Sequence, residues 1–91
     1  EEVEEALKQA PGIQDAAVLG LPDPRWGQAV VALVRTAGNV AVDAEAVRPL
    51  LDQLLARYKH PKRYVVTGED FRHDNGKVNY RAARALLDQM S

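Results

Sequence analysis

The apolar residues Val3, Ala6, Leu7 and Ala10 recur at i, i+3, i+4 and i+7, the spacing of a helix with one buried face. Pro11-Gly12 ends that pattern. Residues 16–21, AAVLGL, are an apolar run of strand length, and Pro22-Asp23-Pro24 predicts a turn because proline fixes φ and cannot donate to a sheet. The valine-rich run 29–34, AVVALV, predicts a second, buried strand. Asp43 is placed to cap a helix whose apolar stripe runs Val47, Leu50, Leu51, Leu54, Leu55, Tyr58. Pro49 either kinks this helix or moves its regular start to about residue 48. After His60-Pro61 comes a third short strand at residues 64–67, then the turn signal Asp74-Asn75-Gly76. Asn79 can cap a last helix with Ala82, Ala83, Leu86, Leu87 and Met90 on one face.

The order helix, strand, strand, helix, strand, turn, helix predicts an α+β fold: a small three-stranded sheet flanked by helices. At 91 residues the chain is one domain, and its 46% hydrophobic and 27% charged content fits a globular protein. No apolar run approaches the roughly 20 residues that cross a bilayer, so no membrane span is expected. With no cysteine there are no disulfides or thiolate metal sites, which fits a cytoplasmic protein. The net charge of −1 hides an asymmetry: residues 1–47 carry 3 basic and 8 acidic side chains, residues 48–91 carry 9 and 5. An anion is thus favoured near the second half, although ordinary solvated faces give the same count. A nucleic-acid partner is not expected, because no dense basic run is interleaved with aromatics.

Three places carry candidate chemistry. Asn75-Gly76 permits positive φ and sets Lys77 at the edge of a turn. A lysine's mobile ammonium suits two anionic oxygens at once, but a hairpin with a solvated lysine reads the same. Trp26, after Pro24-Arg25, is either a core plug or an aromatic face for a nucleotide base. Tyr58, Lys59, His60, Lys62 and Arg63 gather cations around an aromatic, which also suits a helix C-terminus facing its own dipole. His60 and His73 lack an acidic partner pattern, so no metal site is expected, and no Ser-His-Asp set supports hydrolysis.

Residues 71–87, FRHDNGKVNYRAARALL, resemble the last core motif of the adenylate-forming superfamily: acyl-CoA synthetases, peptide-synthetase adenylation domains and luciferases. Residues 2–35 resemble the same family's helix, Pro-Gly, Ala-Ala-Val strand, Pro-Asp turn, Trp-Gly-Gln and valine-rich strand, in that order. Residues 56–63, ARYKHPKR, resemble its Tyr-Lys-x-Pro segment. The blocks cover nearly the whole chain. His73-Asp74 and Asp70-Phe71 depart from the small or hydroxyl residues and the Leu-Pro lead-in usual before the Gly-Lys pair.

The resemblance implies that residues 1–91 are the C-terminal lid of an ATP-dependent acid:CoA ligase, inactive alone because a large N-terminal domain holds the ATP and acid pockets. It implies a catalytic Lys77, bridging the substrate carboxylate and the α-phosphate of ATP, on a loop positioned by Gly76. By the same resemblance Trp26, Tyr58, His60 and Lys62 lie near CoA, His60 standing where those enzymes use arginine. ATP and CoA are then substrates, and Mg²⁺ is expected with ATP on ligands outside this chain. Two alternatives remain: a lid serving a carrier protein, and a free-standing small binding module.

Overall fold

A computed structural model describes residues 2–25 and 27–90; Trp26 and the side chain of Met90 lie outside the described set. Three helices, α1 (Glu2–Lys8), α2 (Ala44–Leu54) and α3 (Tyr80–Met90), pack on three strands, β1 (Ile13–Asp23), β2 (Gly27–Thr36) and β3 (Arg63–Thr67). The sheet runs β1-β2-β3, with β1 antiparallel and β3 parallel to β2. Parallel neighbours require a crossover, and α2 supplies it. The expected α+β fold is the one observed.

Both faces of the sheet are buried, which explains why β2 reads as an unbroken apolar run. Ala16, Ala32 and Val34 lie under α1 and α2 with Leu7, Val47, Leu51 and Leu55. Ala17, Val31 and Leu33 lie on the other face with Phe71, Ala83 and Leu87. Side chains alternate between the two cores along β1, with one interruption. Ile13 pairs with Thr36 and Asp15 with Arg35, so the exposed Gln14 is the extra residue of a β-bulge. Unbroken alternation would put Ile13 on the face of Asp15; the bulge returns it to the core under α1 and α2.

Strand ends depart from the sequence reading. β1 continues through Pro22 and Asp23, which pair with Gln28 and Gly27. β1 is an edge strand, where a missing N–H is tolerated. Asp43 caps α2 as expected, accepting from the Glu45 N–H at 3.0 Å. α2 starts at Ala44 and holds Pro49 on its exposed face, so a start near residue 48 does not occur. The helix ends at Leu54; Leu55 is already extended yet remains in the core. Tyr58 therefore falls in a separate 3₁₀ turn, Arg57–Lys59, outside the helix stripe. Among the described residues no helix is long and apolar enough to cross a membrane.

Candidate functional site

The segment after β3 is fixed by a core plug. Phe71 is 1% exposed, and its carbonyl accepts the N–H of Asn79 at 2.8 Å. Between these anchors the chain makes a tight hairpin: Arg72 bridges Val78, the His73 N–H reaches the Lys77 carbonyl at 2.8 Å, and the Gly76 N–H reaches the His73 carbonyl at 2.9 Å. The turn closes only because Gly76 takes φ +87°. Asn79 then caps α3, its Oδ1 accepting the Ala82 N–H at 3.0 Å. Lys77 is exposed at this turn, and its ammonium makes no ion pair among the described residues.

Lys77 borders a shallow cleft of about 390 Å³, shared with Glu4, Glu5, Arg72, Gly76, Val78 and Tyr80. Glu4 is 3% exposed and accepts the Val18 N–H and the Tyr80 hydroxyl, both at 2.8 Å. Glu5 pairs with Lys8 at 2.8 Å. Both carboxylates beside Lys77 are thus engaged within the domain.

Under the turn lies a charged pair that sequence reading missed. Asp15, 6% exposed on β1, accepts from Arg72 Nε at 2.8 Å and Nη2 at 2.5 Å, and from the Ala16 N–H at 2.9 Å. Burial disfavours the Asp15 charge, but the Arg72 hydrogen bonds and the Ala16 amide more than offset it, and its pKa lies below the ordinary 3.8. The Asp15 hydrogen bonds in turn hold the Arg72 guanidinium more firmly protonated than usual. The available signal was a lone aspartate set against an apolar run, since a carboxylate buried in a sheet needs a partner. That partner is 57 residues away, and spacing cannot find it.

The other described candidates are Tyr58, His60 and Lys62. Tyr58 is 78% exposed, with the Lys59 ammonium 5.9 Å from its ring centre; Lys59 itself pairs with Glu2. Lys62 is exposed, and its N–H donates to the Val30 carbonyl at 2.7 Å. The His60 side chain is turned inward, 16% exposed, with Nε2 3.5 Å from an Asp52 oxygen of α2. Tyr58 and Lys62 thus face outward and His60 does not. Arg35, paired with Asp15, and Val30, anchoring Lys62, are about 16 Å apart along β2 at the usual strand rise. The structure therefore does not bring Lys77 and Lys62 together.

A mixed three-stranded sheet with three helices is the build of the C-terminal domains of acyl-CoA synthetases. The family model for the AMP-binding enzyme C-terminal domain matches residues 2–77, and the chain belongs to that family. It is 44% identical over 84 residues to the medium-chain acyl-CoA ligase Mig of Mycobacterium avium, covering 92% of this chain and 15% of that protein. It is 40% identical over 87 residues to a 4-chlorobenzoate–CoA ligase of an Arthrobacter species, covering 96% and 16%. Its fold matches a fatty acyl CoA synthetase of Mycobacterium tuberculosis with TM-score 0.80 at 30% identity, covering 98% of this chain and 18% of that one. It also matches the amide bond synthetase McbA of Marinactinospora thermotolerans, TM-score 0.75 at 32% identity, covering 93% and 17%. The chain thus spans about one-sixth of the length of these relatives.

Proposed function

We propose that residues 1–91 are the C-terminal lid of an ATP-dependent acid:CoA ligase, working against a large N-terminal domain that supplies the ATP and carboxylate pockets. In the first half-reaction a carboxylate oxygen attacks the α-phosphorus of ATP and pyrophosphate leaves. Lys77 supports this step by placing its ammonium between the carboxylate and the α-phosphate, where negative charge is shared in the transition state. In the second, the CoA thiol attacks the carbonyl of the acyl-adenylate and AMP leaves. In this reading the ATP and acid pockets belong to the N-terminal domain, so residues 1–91 alone are expected to be inactive.

The observation that carries this reading is the exposed Lys77 ammonium on a turn locked to a rigid sheet, free to reach a phosphate on another domain. The separation of Lys77 from Lys62 supports a lid that rotates, offering one end to ATP and another to CoA. CoA, not a carrier-protein phosphopantetheine, is the proposed acceptor because relatives of known activity include CoA ligases. Since an amide bond synthetase has a similar lid, the fold alone does not set the acceptor.

Lys77→Ala in the ligase that carries this domain tests the assignment. Carboxylate-dependent pyrophosphate release is expected to fall about 10²- to 10³-fold, while thioester formation from preformed acyl-adenylate and CoA is unchanged. An equal fall in both steps would remove the role given to Lys77.

A further inference from the structure

We propose that Arg72 is a positioning residue for adenylation, clamping the peptide that leads into Lys77 onto Asp15 of β1. The inference rests on the assignment of Lys77 above. A lysine head sits on four methylenes, so its location depends first on the direction in which the backbone launches the side chain. That direction follows from the planar Gly76–Lys77 peptide. Both polar ends of this plane are held. Arg72 Nη1 donates to the Gly76 carbonyl at 2.7 Å, and the Lys77 N–H donates to Asn75 Oδ1 at 3.1 Å.

The second bond is local to the turn and moves with it. The first is not, because the same guanidinium gives Nε and Nη2 to Asp15. Asp15 is buried, sits in a sheet strand and is fixed by the Ala16 N–H. The linkage runs from β1 through Asp15 and Arg72 to the Gly76 carbonyl and so to the Lys77 Cα. It offsets the freedom that glycine gives the turn. Only an arginine can fill the role: its planar fork sends two donors to a carboxylate and a third to a carbonyl, whereas a lysine has one nitrogen. Misplacing a reacting group by about 1 Å costs on the order of 10²-fold in rate, so a clamp on the supporting peptide is worth as much as some direct contacts.

The test uses the ligase that carries this domain, with adenylation read as pyrophosphate release, thioester formation read from preformed adenylate, and the thermal midpoint recorded alongside. Arg72→Lys and Asp15→Asn are expected to slow adenylation about 10- to 100-fold and leave thioester formation within about twofold. Arg72→Ala combined with Lys77→Ala is expected to be no slower in adenylation than Lys77→Ala alone, because a clamp has no effect once its cargo is gone. Should Arg72→Ala fail to fold, Arg72→Lys and Asp15→Asn decide the matter. Wild-type adenylation in Arg72→Lys, or a parallel loss of both half-reactions, would overturn the clamp and leave a purely structural ion pair. If Lys77→Ala falls as expected while Arg72→Lys does not, the clamp alone is wrong. If Lys77→Ala leaves adenylation intact, the lysine assignment is wrong and the clamp goes with it.

Discussion

At Gly76 the backbone adopts φ +87°, and a Cβ built there would meet nothing within 4 Å. The site has room for a side chain but not a conformation that suits one. Gly76→Ala is therefore expected to cost about 1–2 kcal/mol, all of it backbone strain, seen as a lower denaturation midpoint. Lys77 was legible because Asn-Gly announces a turn within a few residues. Arg72 was not, because its partner lies on another strand far back in the chain. The inward orientation of His60 was equally illegible, since its buried Nε2 has no hydrogen-bond partner among the described residues that spacing could have pointed to. Local chemistry can be read from local sequence; pairing between distant elements cannot.

The same distinction holds for elements. All three helices and all three strands were visible in the periodicity, and the caps at Asp43 and Asn79 were read correctly. What failed were the ends. β1 is 11 residues long, from Ile13 to Asp23, because an edge strand accepts Pro22 and because a bulge lets pairing continue back past Asp15. The α2 stripe was extended to Tyr58 because Leu55 keeps its core contact after leaving the helix, and apolar spacing does not register that change. The link between β1 and the hairpin also sets an acid response. The pKa of Asp15 is lower in the folded chain than its ordinary 3.8. Its stabilising contribution is thus present above about pH 4 and is lost as pH falls through the folded value. Chemical denaturation of the parent ligase at pH 3–7 should show this loss for the transition of this domain, and Asp15→Asn should flatten it.

For the molecule as a whole, a single sheet divides two small cores, and each strand residue must face the correct one. The bulge at Gln14 has an evolutionary and engineering corollary. Because Gln14 lies between two residues that would alternate correctly without it, β1 carries a spare position. Removing it joins Ile13 to Asp15 with their facing intact, so shortening the strand there is a mild change. Removing Ala17 instead inverts one side of the strand, either turning Leu19 and Leu21 out of their core or pulling Asp15 away from Arg72. Thermal midpoints of the two single-residue deletions should differ clearly, with the Gln14 deletion the milder. Length variation among related chains is accordingly expected to be accommodated at this bulge, upstream of the aspartate that anchors the lysine turn.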